Sequence, residues 1–327
     1  MAGSVTKAKK KFCGAVDVGG TKIASALFTC DGLMLHKSKI SIDKTEPKKS
    51  VFQIIDIVEN LERCARIERG DVAAIGIAIP GVVFHDKGLV WAPNVPGWDH
   101  FPLRDKLMED IKVPLVLDSD RSAYVLGEQW CGAAKNMKNV VFLAVGTGIG
   151  AGIIIDGRLC RGSDDIAGAI GWFALNAEFR DEYAVMGCFE AEASGSSVAR
   201  RAIRLIKSGG TSILEDMVKG QLDEITAEMV VEAAQKEDCL AQKTLDITLK
   251  YLAMGIANIV NILNPDMVVL GGGLFQAGEM LIQPIKKEFR RWAQPLAAQK
   301  VQLELSRLGE DAGLYGAGKL AWDREGF

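Results

Sequence analysis

Two stretches, DVGGTKIASALFTCDG (residues 17–32) and AVGTGIGAGIIIDG (144–157), follow one plan. An apolar run enters a glycine/threonine turn, a second run of β-forming residues leaves it, and Asp-Gly closes the unit. This weak internal repeat predicts two related α/β domains, each offering a glycine turn. Without a Cβ, glycine lets backbone N–H groups approach a phosphate, and a threonine hydroxyl adds a donor. A plain hairpin explains either turn alone equally well. A third glycine group ends another apolar run, in MVVLGGGLFQAGEML (267–281), and three such groups favour phosphate binding.

The chain has 327 residues, enough for about two domains. Strands are expected within 11–32, over 72–81 and over PLVL (114–117), and helices over 51–67 and after Asp120. Amphipathic segments cover 195–207 and 227–263, and AGLYGAGKLAW (312–322) has the small residues of a closely packed last helix. The expected division is a basic tail (1–11), a smaller α/β domain (12–119) completed by helix 310–327, and a larger α/β domain (120–309).

Composition narrows the function. A net charge of −3 gives no electrostatic reason for a nucleic-acid partner. The basic run Lys7 to Lys11 reads as a solvated tail. No apolar stretch is expected to span a membrane, and no secretory h-region precedes the first strand. The seven cysteines (13, 30, 64, 131, 160, 188, 239) form no CxxC pair, which points to reduced thiols in a cytoplasm. His36, His85 and His100 are too few for a His-rich metal centre.

Two nucleotide motifs fail. No GxxxxGK[ST] loop occurs. GTGIGA (146–151) fits G-x-G-x-x-A, but a dinucleotide site needs a helix to open there, and a strand and turn follow instead. This disfavours a nicotinamide-linked oxidoreductase. Strand–turn–strand is the pattern of the actin-like, ribonuclease-H-like ATPase fold.

The ordered segments DVGGTKIASALF, GIAIPGVV, APNVPGW, SDRSAYVLGE, GTGIGAGIIIDGRLCRG, AGAIGW, GCFEAEASG, VVLGGGL and DAGLYGAGKL resemble the ROK family of sugar kinases and repressors over residues 12–320. No single segment decides this; their order does. The resemblance implies an α/β fold of two related actin-like domains with a cleft between them, ATP with Mg²⁺, and a homodimer. The family's repressors carry an N-terminal helix-turn-helix domain, and the dozen residues before the first strand leave no room for one. The kinase branch is therefore expected, with a non-catalytic sugar- or nucleotide-binding regulator as the alternative.

The resemblance also assigns roles. The family reads Asn-Asp-Ala-Asn before Gly-Glu. Counting back from Gly127-Glu128 puts Ser119 at the first Asn and Asp120 at the catalytic Asp. Asp120 is the outermost residue at its strand end, where α/β sites lie. It becomes the general base for a hydroxyl attacking the γ-phosphate, and Asp118 a cap or ion-pair residue. Asp17 would lie near the metal-bound phosphates. Gly19, Gly20, Thr21, Lys22, Gly146, Thr147 and Gly148 would hold phosphate, and Gly271, Gly272 and Gly273 would line the nucleotide site. A solvated strand lysine is an equal reading for Lys22.

The sugar side departs from the family. Gly81, Asn94, Ser119, Trp172 and Glu190 are the candidate substrate residues. Ala169 and Trp172 stand where the family has Glu and His, and Asp181 and Tyr183 replace two cysteines of its zinc segment, leaving Cys188. Four zinc ligands cannot be assembled, so no structural zinc is expected. Losing polar partners for sugar hydroxyls disfavours glucose or N-acetylmannosamine as best substrate and leaves another sugar, amino sugar or cyclitol. Trp172 either stacks on a sugar ring or fills the space of the lost zinc loop.

Overall fold

The computed structural model describes residues 9–324. The expected tail mostly lies outside them, and Lys10 and Lys11 already belong to the first strand. The chain divides into two compact units, the first running to Asn136 and also holding Arg161–Ile166 and the residues from Glu310 on, the second holding Met137–Cys160 and Ala167–Gly309.

The first unit opens with β1 (Lys10–Val18), β2 (Lys22–Phe28) and β3 (Met34–Ser41), a meander around Gly19-Gly20 and Asp31-Gly32. Helix α1 (Pro47–Ile67) follows, starting on a proline at its first position. Next come β4 (Gly70–Ile79), the small hairpin β5 (Val82–Phe84) and β6 (Leu89–Trp91), α2 (Leu103–Asp110), β7 (Leu115–Ser119) and α3 (Asp120–Cys131). The main sheet has the order β3-β2-β1-β4-β7, with β4 parallel to both neighbours.

Side chains alternate across these strands, so each face has its own composition. In β4, Ile75, Ile77 and Ile79 join Val16 of β1 in a core of large residues against Ile54, Val58 and Leu61 of α1. Those α1 residues recur at helical spacing. The opposite face carries Ala15 and Ala78. Asp17 follows Ala15 by two residues and lies on that second face.

The second unit builds an analogous sheet from β8 (Val140–Val145), β9 (Ile149–Ile155), β10 (Arg158–Leu159), β11 (Met267–Gly271) and β12 (Gln302–Leu305), ordered β10-β9-β8-β11-β12. Its helices are α4 (Asp181–Met186), α5 (Cys188–Ala193), α6 (Gly195–Lys207), α7 (Leu214–Met217), α8 (Ala227–Gln235), α9 (Cys239–Leu263), α10 (Glu279–Phe289) and α11 (Pro295–Lys300). The repeat read from sequence is thus a repeat of antiparallel hairpins, β1-β2 and β8-β9, in two five-stranded sheets.

The expected segment 227–263 is two helices. Asp238 caps α9 by accepting the Ala241 N–H at 2.8 Å, and Glu237 before it has φ of 64°. The cap restarts the helix. By length and composition α9 would pass for a membrane span, contrary to the expectation that no stretch reaches that size. Its face of Leu245, Leu252, Ile256 and Val260 is instead buried in the core of its unit.

The chain returns to the first unit as α12 (Ala312–Arg324). This helix lies on the alanine face of the sheet and against α3. Gly316 makes that approach possible, because a Cβ there would collide with the Ala123 carbonyl of α3. The boundary expected after residue 119 therefore shifts: α3 belongs to the first unit, and the division follows Asn136. Residues 161–166 also join that unit, through Arg161–Asp118 and His85–Asp165 pairs.

Candidate active site

In the first unit the strand ends gather most of the expected residues. Asp120 is the first residue of α3, directly after β7. Ser119 is the N-cap: its hydroxyl accepts the Ser122 N–H at 3.1 Å and donates to Ser122 Oγ at 3.0 Å. The residue expected to meet the sugar thus spends its hydroxyl on the helix.

Asp118 and Asp120 separate clearly. Asp118 is buried, and its Oδ2 receives Arg161 Nε at 2.9 Å and Nη2 at 2.6 Å. Its Oδ1 accepts the Ser119 N–H at 2.8 Å, and His85 Nε2 stands 3.7 Å from Oδ2. This is the ion-pair role read from sequence. Asp120 is half-buried and accepts the Arg121 N–H at 2.8 Å. Burial pushes its carboxyl up to about 6, against the opposing pull of Arg121 and of a hydrogen bond from Tyr124. The Tyr124 hydroxyl is raised well above its ordinary range, first by the Asp120 charge and then by burial.

Asp17 completes an acidic group. Burial, then the Asp120 charge, raises its carboxyl to about 7, with Lys39 pulling the other way. It abuts the first turn of α12, where any side chain at Gly313 would run into the carboxylate. A carboxylate at that end of a helix meets the positive end of its dipole. Lys37 pairs with Asp311 and Lys39 with Glu310, tying β3 to the residues just before α12.

The first glycine turn sits beside this group. Gly19 donates to the Lys22 carbonyl at 2.8 Å, and Thr21 O accepts the Ile42 N–H at 3.1 Å. Thr21 and Lys22 are exposed. Asn94 lies across from Gly20, its Cβ 3.7 Å from where a Gly20 Cβ would stand. Gly81 follows β4, and its carbonyl accepts from Arg121 at 3.5 Å.

In the second unit, the turn Gly146-Thr147-Gly148 is held from α6. Gly195 N–H donates to Gly146 O at 2.8 Å, and Ser196 Oγ donates to Thr147 O at 2.8 Å. Glu190 of α5 reaches the same turn: its Oε2 accepts the Ile149 N–H at 2.7 Å. Burial raises its carboxyl, opposed by that hydrogen bond and by Arg200. The three glycines after β11 differ from one another. Gly271 is buried in the strand, where a Cβ would strike the Phe142 ring. Gly272 turns the chain at φ of 93° over the Val145 carbonyl, and a Cβ at Gly273 would meet only Glu228 Oε1, at 3.9 Å.

Trp172 ends a 3-10 turn (Ile170–Trp172), is 58% exposed, and its backbone packs against Gly187. The zinc-segment positions hold other chemistry. Cys188 accepts the Leu175 N–H at 3.4 Å. Tyr183 is buried, and its hydroxyl joins Asn176, Arg180 and Glu192. Arg201 Nη2 meets Glu192 Oε2 at 2.9 Å, and Tyr251 closes the network onto Asn176 at 2.8 Å.

Sequence reasoning missed Tyr124, Gly313 and Arg161. Tyr124 had a signal, four residues after Asp120 on one helix face. Arg161 and Gly313 had none, since both reach their aspartates through tertiary contacts across long stretches of chain.

The ROK family pattern matches residues 13–324. A glucokinase of Halalkalibacterium halodurans is 34% identical over 316 residues, 95% of this chain and 94% of that protein. A solved ROK family glucokinase from Streptomyces griseus, in complex with glucose and AMPPNP, is 30% identical with a TM-score of 0.78, covering 95% of this chain and 99% of that one. A xylose repressor of Caldicellulosiruptor bescii is 29% identical over 85% of this chain and 69% of its own length.

Proposed function

The chain belongs to the ROK family, and from that premise we propose that it is an ATP-dependent sugar kinase with Asp120 as general base and a sugar site of altered specificity. The observation that carries this reading is the state of Asp120. It is a half-buried carboxylate at a strand end, with its pKa raised to about 6, while neighbouring Asp118 is committed to Arg161. A base in that range ionises near neutral pH and still accepts a proton readily. The similarity to glucokinases, one of them solved with an ATP analogue, supports the reaction class.

In this reading the acceptor hydroxyl gives its proton to an Asp120 oxygen as its own oxygen bonds to the γ-phosphorus, and ADP leaves. Tyr124 orients the carboxylate. The glycine turns at Gly19-Gly20 and Gly146–Gly148 offer N–H groups to phosphates, with Thr21 and Thr147 beside them. Asp17 lies where, ionised, it would face Mg²⁺ carried with ATP, and such an ion would supply neutralisation of phosphate charge. Of the glycines after β11, Gly272 and Gly273 suit a nucleotide contact, and Gly271 serves packing.

Asn94 and Glu190 keep polar groups for sugar hydroxyls. Ala169 supplies none, and Ser119 is occupied as a cap. The exposed face of Trp172 suits stacking on the apolar face of a ring. A substrate poorer in polar contacts than glucose fits this set, such as another sugar, an amino sugar or a cyclitol. Zinc has no role in the reading, because Tyr183 and Glu192 already satisfy one another.

The test is ADP release from ATP and Mg²⁺ across a panel of sugars and cyclitols. Turnover with one class and little with glucose supports the reading; glucose as the best substrate contradicts the proposed specificity. Similarity to a xylose repressor favours a second reading, a sugar-binding regulator without catalysis. Sugar binding with no turnover on any panel member would select it.

A further inference from the structure

Along α6 from the residues that hold the Gly146–Gly148 turn, the second unit has a cavity of about 210 Å³ lined by Arg180, Arg200, Arg201 and Arg204 together with two carboxylates, Glu182 and Glu192. Three of the arginines come from α6, where Arg200 and Arg204 are four residues apart and share a face. Arg180 precedes α4.

The carboxylates are already engaged. Buried Glu192 receives Arg201 on Oε2 at 2.9 Å, and Arg180 with the Tyr183 hydroxyl on Oε1. Glu182 pairs with Arg180 at 3.2 Å. Arg200 donates to neutral acceptors, Ser197 Oγ at 2.8 Å and Met186 Sδ at 3.2 Å. Among the described residues, no carboxylate lies within ion-pair distance of Arg200 or Arg204. Four guanidinium groups line the cavity with two carboxylates, and Glu190 outside the lining is a third that interacts with Arg200, so one positive charge is left over. The crowding is felt: Arg201 is pushed down to about 10 by burial first and then by the charge of Arg204. Arginines held together without matching anions are costly, and an incoming anion relieves the repulsion.

We propose that this cavity binds a phosphate dianion, free or as the phosphate of a small metabolite. The planar forks of Arg200 and Arg204 match tetrahedral phosphate oxygens, and the anion meets the excess positive charge. The volume is below the usual range for an entire drug-sized ligand and suits a phosphate group with little attached. The site does not depend on the kinase reading, since none of its arginines serves the transfer described above.

The experiment is calorimetric titration of the full chain with inorganic phosphate, and separately with a hexose 6-phosphate, at low ionic strength and mildly alkaline pH. The same titrations are run on the Arg200→Gln/Arg204→Gln variant. Both side chains are exposed, so the variant should unfold at the wild-type temperature. Arg204→Gln alone serves if the double variant does not. The expected result is saturable binding that weakens by about tenfold or more in the variant, as loss of charge-assisted hydrogen bonds requires. Tighter binding of the hexose phosphate assigns a metabolite, and tighter binding of phosphate assigns the free ion. No saturable binding up to about 10 mM, the weak end of specific affinity, overturns the proposal. Equal binding by wild type and variant also overturns it, because the anion then sits elsewhere, such as at the glycine turns.

Discussion

Arg161 holds Asp118 through two hydrogen bonds to one oxygen, 2.9 Å from Nε and 2.6 Å from Nη2. The pair fixes residues 161–166 to the strand end that presents Asp120. It also separates two aspartates only two residues apart: one carboxylate neutralised in place, the other held by backbone and hydroxyl donors. Asp118→Asn should therefore act on stability. A lost charge-assisted pair with half-exposed Arg161 should cost about 1–3 kcal/mol. Denaturant unfolding measures that cost, and turnover on the best panel substrate should stay within about tenfold of wild type, a drop of no more than about 1.4 kcal/mol in transition-state stabilisation.

The pH profile should carry the raised carboxyls. The base works ionised, so kcat/KM should fall as pH drops through about 7 to 6, the values of Asp17 and Asp120. The stability effect has the opposite sign. Both groups have folded values above their unfolded ones, so the folded chain binds more protons between about pH 4 and 7. Stability should then decline as pH rises through that window. Asp120→Asn removes the cost of burying that charge and should raise stability above pH 7 by about 1–3 kcal/mol. Chemical unfolding at pH 5 and 8 checks this; equal wild-type stability at both would remove the account of the buried carboxyls.

Two glycines of α12 should separate site from scaffold. A methyl at Gly313 displaces the Asp17 carboxylate, a short side chain with room to turn. Gly313→Ala should keep the fold and lower kcat by about tenfold or more, through a misplaced group at the site. A methyl at Gly316 meets the Ala123 carbonyl, which cannot turn away. Gly316→Ala should instead cost about 1–3 kcal/mol by overpacking. Comparing kcat and unfolding midpoint for the two variants is the check.

Metal removal should leave the fold alone. Tyr183 of α4 is hydrogen-bonded to Glu192 of α5, with Arg201 beside it, and this network joins the two helices. Dialysis against a chelator should leave the melting temperature unchanged, and elemental analysis should find no stoichiometric zinc. Tyr183→Phe strands the groups its hydroxyl satisfied and should cost about 1–3 kcal/mol. A melting temperature that falls on chelation would contradict this account.

Much of the scaffold could be read directly from the chain. The alternation Ile-Gly-Ile-Ala-Ile in β4 already separates a face for α1 from a face for a closely packed helix, and the spaced glycines and alanines after residue 312 supply that helix. Both hairpin turns were legible for the same reason, since glycine and Asp-Gly act locally. The choice of Asp120 over Asp118 rests on its register with Gly127-Glu128 and on its place furthest out at the strand end. What stayed hidden depends on distant contacts. Nothing near Arg161 signals that it pairs with Asp118, and nothing near Trp172 signals that it is exposed. Ser119 read as a sugar ligand, yet its position before α3 makes it a cap, a competing local role that residue type alone does not rank.

The central claim rests on Asp120, and the most direct measurement is phosphoryl transfer by Asp120→Asn beside its nucleotide affinity. The amide keeps the carboxylate's shape but cannot take the hydroxyl proton. The account predicts a loss of about 10²–10⁴-fold in kcat, the usual worth of a general base, with ATP affinity close to wild type. Normal turnover by Asp120→Asn together with an inactive Asp118→Asn would contradict it, moving the base to the residue that Arg161 now holds.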